Sequence, residues 1–199
     1  MHVRVITVSG VTNVDAGLDL IRDQVLPICQ AQKGYLGTTV SVDRANSVFG
    51  IITMWETAED REASDGALAQ SRIDVANALG GSITVEYYEQ AVMEANAMPA
   101  VGSALSVARL SMSPDQVDAN IDYFRSTPLP AMLATPGVQA VRNLVNRETG
   151  QAIVGVVFSD ADALSAAADA SASRREAASA RGITFESVSN REILLFDAK

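Results

Sequence analysis

The chain has 199 residues, of which 48% are hydrophobic, and this is typical of a globular protein with one domain or two small ones. Its 24 acidic and 15 basic residues give a net charge of −9, which opposes binding to nucleic acid and to anionic membrane surfaces. One cysteine, Cys29, and one histidine, His2, exclude an internal disulfide and any metal site built from several such residues, so we expect no metal and no cofactor.

The N-terminal residues predict a strand rather than a targeting segment. VRVITVS, at residues 3–9, alternates apolar and polar positions, and no charged and then apolar leader precedes it. The longest apolar run falls short of the ~18 residues that a membrane-spanning helix needs. The sequence therefore predicts a cytoplasmic protein without a membrane partner.

A helix is expected after this strand. Thr12 or Asn13 can cap it. Its apolar residues recur at helical spacing: Val14, Leu18, Ile21 and Val25. Pro27 removes one amide and disfavours helix at the residue before it, so the helix should kink or restart there before Gly34 ends it.

Two strands and a second helix should complete the first half. Strands near residues 36–42 and 48–55 flank the turn DRANS, which predicts a hairpin. Thr57 and Asp60 match a capping box that opens a helix to about residue 79, and TVEYYEQAV reads as a final strand. The predicted order is β-α-β-β-α-β, the ferredoxin-like arrangement.

The second half of the chain repeats the first. Laying residues 2–65 over residues 105–168 without a gap gives a series of identical pairs, which begins with Val14, Asp15, Ala16, Asp19 and Arg22. Self-similarity at a fixed spacing indicates a duplicated structural unit. We therefore predict one repeat over residues 1–92, a linker over 93–104 and a second repeat over 105–199.

Strands such as FGIITMW and AIVGVVF are apolar on both phases, so each predicted sheet has a second face that must be covered. Two like halves in one chain can cover each other sheet to sheet. The sequence thus predicts an α+β protein of two ferredoxin-like repeats that form an intramolecular pseudo-dimer, and a true homodimer of that unit is also conceivable.

Three motifs give this chain a resemblance to the antibiotic biosynthesis monooxygenase (ABM) type of the dimeric α/β-barrel superfamily, here in tandem. They are VLPICQAQKGYLG at 25–37, PLPAMLATPGVQ at 128–139 and MWETAED at 54–60. The resemblance implies an intramolecular dimeric α/β barrel and a ligand pocket between sheet and helices. It also implies kinship with cofactor-independent monooxygenases that act on aromatic polyketides.

Haem-degrading relatives are a poor match. They surround the haem with an Asn, a Trp and a His, and the resemblance puts these positions at Thr7, Ser64 and Asp74. Because none of the three is retained and no axial histidine is present, haem degradation is excluded.

Polyketide-oxidising relatives match better. Their Trp at the end of the third strand coincides with Trp55, whereas their Asn four residues earlier falls on Ile51. The second half carries Phe158 and Val154 at these two places, and it therefore looks less equipped for ligand chemistry than the first.

Four residues of the first half are the candidate ligand contacts. Trp55 would be a stacking wall, Thr7 and Tyr35 would be polar contacts, and Ile51 would line the same pocket. No catalytic residue can be named. Core packing is the favoured interpretation of Trp55, and surface packing is the favoured interpretation of Tyr35.

Several polar residues have two interpretations. Arg4 is expected on the strand phase opposite to Thr7, toward the sheet-on-sheet interior, where Glu86 or Glu186 could pair with it, in a structural role rather than a ligand-binding one. Arg142 and Asn143 could define a polar pocket in the second half, or they could be solvated edge positions, which is the interpretation we favour.

Two functional hypotheses follow. One is a cofactor-independent monooxygenase or related enzyme acting on a small aromatic or polyketide-like molecule. The other is a binding or structural module whose degenerate pockets are closed by side chains. An open cavity beside Trp55 would favour the first, and a filled one would favour packing alone.

Overall fold

The computed structural model describes the whole chain, Met1 to Lys199. The strands are β1 (His2–Ser9), β2 (Tyr35–Asp43), β3 (Val48–Trp55), β4 (Ser82–Ala95), β5 (Ala104–Ser111), β6 (Val138–Val145), β7 (Gln151–Phe158) and β8 (Thr184–Ala198). The helices are α1 (Val14–Leu20), α2 (Leu26–Gln30), α3 (Ala58–Leu79), α4 (Val117–Ser126), α5 (Pro128–Leu133), α6 (Ala161–Ala166) and α7 (Ala168–Ser179). Both halves follow the predicted β-α-β-β-α-β order, with the helical segments split.

Hydrogen-bonded neighbours follow the strand order β1-β3-β2-β8-β5-β7-β6-β4, which closes on itself. This confirms the α+β class and adds a closed, antiparallel eight-stranded sheet. The finer prediction, two equivalent repeats packed sheet to sheet as an intramolecular dimeric α/β barrel, stays a prediction.

The chain divides into two compact units. The first unit comprises Met1–Tyr88 and Ile193–Lys199, and the second comprises Glu89–Glu192. Strands β4 and β8 each contribute residues to both units. The predicted boundaries at residues 92 and 104 remain an expectation, and β4 continues to Ala95, past the first of them.

In the first unit, alternate residues of β1, β2 and β3 face the helices. Ile6 and Val40 both lie opposite Ile51 in the sheet register, so the three side chains share one face. That face and the helices above it form one buried apolar cluster, made of Ile6, Val8, Val11, Ile21, Val40, Val42, Phe49, Ile51, Val75 and Leu79. Its removal from water holds sheet and helices together at ~25 cal/mol per Å² of apolar surface.

The first helix is interrupted near Pro27, as predicted. A π-helical segment, Ile21–Val25, follows α1, and Pro27 then lies in the first turn of α2, where its missing amide costs no helical hydrogen bond. Gly34 follows with a φ of +71°, a conformation that favours glycine. In the second unit, α5 begins at Pro128 directly after α4.

Thr57 caps α3, as the capping-box pattern predicts. Its hydroxyl oxygen accepts from the backbone N–H of Asp60 at 3.1 Å, and the hydroxyl donates to the Asp60 carboxylate at 2.9 Å. Because this contact satisfies a free amide of the first turn, the start of α3 is fixed locally.

The second unit has its own core. Strands β5, β6 and β7 pair in register, and the Ala/Ser-rich segment forms α6 and α7, which are separated at Ala167. Apolar residues of the three strands pack with α4 and α5 in one buried cluster that includes Leu110, Val117, Ile121, Phe124, Leu129, Val154, Val156 and Phe158.

None of the helices combines the length and the apolar character needed to cross a lipid bilayer.

Candidate functional site

Each unit has a space between the helix-facing side of its sheet and the helices above it. In the first unit this space is nearly filled, since the remaining cavity measures about 30 Å³. In the second unit it is open and measures about 310 Å³. The second value lies at the lower limit of the range typical of small-molecule sites.

Aromatic side chains close the first unit's space. Trp55 is fully buried, and its ring meets that of Tyr35 edge to face, with the centroids 5.7 Å apart and the planes at 73°. The indole N–H of Trp55 donates to Thr53 Oγ1 at 3.1 Å. Cys29 and Leu68 complete this cluster, so Trp55 is packed on its polar and apolar sides alike.

The Tyr35 hydroxyl is also occupied. It lies 2.7 Å from Thr38 Oγ1 and 2.7 Å from Asp197 Oδ2, and it donates to the carboxylate. Burial, reinforced by Asp197, raises the pKa of the Tyr35 phenol above its ordinary value. The hydroxyl therefore stays protonated and holds the C-terminal segment of its own unit.

Arg4 also lines the first unit's space, and the expectation that it faces the sheet-on-sheet interior is wrong. Arg4 lies opposite Thr53 in the sheet register and therefore faces the helices, where its Nη2 lies 2.9 Å from Asp65 Oδ1. The same nitrogen donates to Arg61 O at 2.7 Å and to Ser64 Oγ at 2.9 Å. Its partner is thus Asp65 rather than Glu86.

The electrostatics of Arg4 follow from this burial. Desolvation lowers its pKa, and the Asp65 carboxylate works in the opposite direction. Its guanidinium carbon lies 5.5 Å from the centroid of the Trp55 ring, within the range of a cation–π contact. Arg4 is a structural residue, as expected, although it stands in the space where a ligand was predicted.

The four predicted ligand contacts do not come together. Ile51 lines the small cavity, while Trp55 and Tyr35 lie in the packed cluster beside it. Thr7 lies opposite Gly50, one residue from Ile51, and so it belongs to the other face of the sheet. A ligand role for these residues stays a prediction.

The second unit's cavity is bounded by four strands and three helices. Ser106 and Ala108 of β5 form part of its floor. Aromatic walls come from Phe124 on α4, Phe158 on β7 and Phe185 on β8. Helices α5 and α7 supply the remaining lining, which includes Met132 and Arg174.

The sheet register explains why this space is open. Thr53 and Val156 are matched positions of the repeat, and each lies opposite a residue of the first strand of its unit. That residue is Arg4 in the first unit and Ser106 in the second. The ungapped alignment instead matched Arg4 with Val107, because the second unit has one more residue between its first strand and its first helix.

Two further exchanges reduce the side-chain volume in the second unit. Ile6, opposite Ile51, is replaced by Ala108, opposite Val154. On the last helix, Leu68 lines the first unit's cavity and Ser171, 103 positions later, lines the second. Smaller residues on separate elements therefore create one continuous space.

Asn143 was one of two polar residues for which the sequence allowed a pocket but favoured a solvated edge position. It is only 1% exposed, it lies opposite Val154 on β6, and it lines the cavity. The interpretation as a solvated edge position is wrong for Asn143. Its side-chain Oδ1 is buried and has no hydrogen-bond partner, which is uncommon in folded proteins.

Arg142 does not share this site. It follows the alternation of β6, lies opposite Gly155 and belongs to the other face of the sheet. Burial lowers its pKa to about 10. Of the two polar residues, only Asn143 can contact a ligand in this cavity.

Arg174 is a second polar group of the cavity and was not singled out from the sequence. Its Nη2 donates to Ser171 Oγ at 3.0 Å, while its Nε is buried without a partner. Burial lowers its pKa, and the neighbouring charge of Arg175 lowers it further. Its position on a polar, Ala/Ser-rich helix gave no periodic signal that it would face inward.

Comparison with solved structures supports the fold. A presumed monooxygenase from Fusobacterium nucleatum is 11% identical with a TM-score of 0.74, covering 100% of this chain and 94% of its own. An anthrone oxidase-like protein is 15% identical with a TM-score of 0.68, covering 99% and 93%. A ferredoxin fold protein from Listeria monocytogenes, related to antibiotic biosynthesis monooxygenases, is 8% identical with a TM-score of 0.57, covering 98% and 95%. The chain thus shares the fold of these three proteins.

Comparison of sequences identifies nearer relatives. No family model matches the chain. The uncharacterized protein Rv2558 of Mycobacterium tuberculosis is 29% identical over 125 residues, which are 63% of this chain and 53% of that protein. The uncharacterized protein Rv2557 of the same organism is 32% identical over 151 residues, which are 76% of this chain and 67% of that protein. On this identity and coverage, the chain belongs to the family of Rv2557.

Proposed function

We propose that the second unit binds a small aromatic molecule in its 310 Å³ cavity, and that the first unit is a structural counterpart whose equivalent space is filled. In this proposal the chain is a tandem of two ABM-type domains with one working pocket. The observation that carries it is the open cavity lined by Asn143, whose side-chain Oδ1 is buried without a partner.

The unpartnered amide favours a ligand on energetic grounds. A buried polar group without a hydrogen bond costs about 1–3 kcal/mol, and a ligand that supplies the partner recovers this energy. An amide can present either its oxygen or its nitrogen by turning about its last torsion, so Asn143 can meet a ligand hydroxyl or a ligand carbonyl.

The shape and lining of the cavity favour an aromatic ligand. Phe124, Phe158 and Phe185 come from three different elements and provide ring surfaces for edge or offset contacts. Val154 and Val156 form an apolar floor between them. A planar molecule between sheet and helices would bury its faces on these side chains and direct a polar substituent toward Asn143.

Cofactor-independent oxidation is the second candidate, and one observation favours it. The resemblance to polyketide-oxidising proteins implies an Asn at Val154, and Asn143 lies directly opposite Val154 on the same sheet face. With anthrone, the reaction would consume one O₂, convert the methylene carbon to a carbonyl and release one water. Asn143 would donate to the oxygen of the enolate that forms when anthrone loses a proton.

Binding remains the primary proposal because the cavity has no evident base. Its lining holds no carboxylate, histidine or cysteine that could accept the proton from anthrone. Oxygen uptake with anthrone, compared between the wild type and Asn143→Val, distinguishes the two candidates. Uptake that depends on Asn143 favours oxidation, and binding without uptake favours a binding module.

Filling the cavity tests the binding proposal. Ala108→Leu adds three carbons to the cavity floor and should weaken the binding of a naphthalene-type fluorescent probe at least tenfold, measured by titration. Ala170→Leu adds the same atoms at an exposed site on α7 and should leave binding unchanged. Equal binding by both variants would refute the assignment of the cavity, and native mass spectrometry of protein from its own host would identify a retained ligand.

The proposal requires no cofactor, nucleic acid or membrane. The cytoplasmic location and a homodimer of the chain are carried forward as expectations. Light scattering after size-exclusion chromatography measures the oligomeric state of the chain directly.

A further inference from the structure

We infer that the ligand of the second unit's cavity is a small aromatic acid whose carboxylate or phenolate binds Arg174. This inference rests on the proposed ligand pocket and adds the charge of the ligand. It follows from the cavity's positive charge, which has no carboxylate partner, and from a comparison with the first unit, in which the arginines pair with an aspartate.

Positive charge in this cavity has no internal partner. Arg174 and Arg175 both line it, and no aspartate or glutamate does. The only side-chain contact of the Arg174 guanidinium is the neutral hydroxyl of Ser171, and its Nε is left without an acceptor. A group of acceptor type placed in the cavity would satisfy that N–H.

The first unit shows what is missing. Its helix α3 carries Arg72, 103 positions before Arg175, and Arg72 Nη1 lies 3.0 Å from Asp65 Oδ1. The same carboxylate also holds Arg4. One aspartate thus pairs with two arginines in the space between sheet and helices.

The second unit lacks that aspartate. Ala168 stands 103 positions after Asp65, at the start of α7. Arg175 matches Arg72, and Arg174 stands where the first unit has Ser71. Because two arginines line this cavity and no carboxylate does, an anionic ligand is the complementary occupant. Two hydrogen bonds from one edge of a guanidinium match the two oxygens of a carboxylate, and such charge-assisted bonds are stronger than neutral ones.

Arg174 and Asn143 would then contact different polar groups of the same ligand. Arg174 would bind the acidic group from the helix side, and Asn143 would bind a hydroxyl or carbonyl substituent from the sheet side. The phenylalanine walls would hold the ring between them. Such an arrangement selects a planar aromatic acid with a second polar substituent over a neutral hydrocarbon.

A pair of probes of equal shape tests the charge. Naphthoate and naphthamide differ in charge but hardly in volume, and isothermal titration should give the acid at least tenfold tighter binding at neutral pH. Arg174→Gln should remove this preference. Arg22→Gln, which removes one exposed positive charge from the first unit, should retain it.

A second variant keeps both arginines. Ala168→Asp restores the carboxylate of the first unit and should pair with Arg174 or Arg175, so that the preference for naphthoate falls to within about threefold of naphthamide. Ala170→Asp, which adds the same charge at another exposed position of α7, serves as the control. Circular dichroism and thermal melting establish that each variant is folded.

The outcomes separate the two levels of the argument. Equal binding of acid and amide by the wild type would overturn the inference and leave the proposed pocket intact. Absence of binding for both probes would overturn the pocket and the inference together. A preference for the acid that survives in both Arg174→Gln and Ala168→Asp would place the acidic group elsewhere and overturn the role of Arg174.

Discussion

Each unit encloses a space between its own sheet and its own helices, and the two units fill this space differently. In the first, the Arg4 and Trp55 side chains leave about 30 Å³, and in the second, Ser106 and its small neighbours leave about 310 Å³. The order of helices and strands is the same in both. The difference in cavity volume therefore lies in a few side chains, while the framework of strands and helices is shared.

The comparison extends to charge. The first unit places Arg4 in the space and pairs it with Asp65, which also holds Arg72. The second unit keeps arginines at its rim without that carboxylate, since Ala168 takes its place. The first unit thus supplies its own carboxylate, although Arg4 Nε has no acceptor there, and the second unit leaves Asn143 Oδ1 and Arg174 Nε without partners.

Replacing Trp55 has the largest expected effect and tests whether the first unit is packed where the second is open. If Trp55 is packing, as its complete burial indicates, Trp55→Ala should reduce the free energy of unfolding by about 3–5 kcal/mol. Urea denaturation followed by far-UV circular dichroism measures this, since Trp55 is the chain's only tryptophan and its fluorescence is lost in the variant.

Trp55→Phe is the matched control, because Phe158 occupies the corresponding place in the second unit. Trp55→Phe should reduce the free energy of unfolding clearly less than Trp55→Ala does, since most of the ring volume is kept. A loss below about 1 kcal/mol for Trp55→Ala would mean that the ring is poorly packed. The first unit would then be able to open a pocket, and the contrast between the units would disappear.

Local signals made much of the fold predictable. Pro27 and Gly34 act on the backbone of their immediate neighbours, and Thr57 caps α3 through a contact three residues away. The element order of each half depends on such short-range effects and on apolar periodicity. These features could therefore be predicted without knowledge of the tertiary structure.

The site was harder to predict because it depends on register and on distant residues. β1 is apolar on both faces, so its pattern does not reveal that Arg4 faces the helices and Thr7 does not. The extra residue before the second unit's first helix hid the correspondence of Arg4 with Ser106. The volume of the cavity depends on residues of several strands and helices together, and no single segment carries that information.

Cys29 offers a second test through pH, since its counterpart in the repeat, Met132, does not titrate. Burial raises the pKa of the Cys29 thiol from 9.0 to about 11; the charge of Arg4 opposes this and that of Asp197 adds to it. The folded state thus favours the neutral thiol. Its contribution to stability is fully present below pH 9 and is lost as the pH rises toward 11.

The measurement compares urea denaturation of the wild type and Cys29→Ala between pH 8 and pH 11. The difference in their free energies of unfolding should shrink by up to about 1.4 kcal/mol per pH unit above pH 9. Met132→Ala provides the control from the second unit, where the difference should not depend on pH. Parallel curves for the wild type and Cys29→Ala would mean that water reaches the thiol and that the first unit is not closed.

Asn143→Val has the smallest expected effect on stability. It also distinguishes the two units most sharply, since Val40 is the corresponding residue of the filled unit. Removing a buried amide without a partner should stabilise the ligand-free protein by about 1 kcal/mol, which thermal and urea unfolding can detect. The same change should weaken binding of an aromatic acid, because the ligand loses its sheet-side contact. The mirror substitution, Val40→Asn, should only destabilise, since it places an amide in a space without room for a ligand. If Asn143→Val instead destabilised the ligand-free protein, the amide would already be satisfied, and the cavity would lose the feature that distinguishes a ligand site from a packing defect.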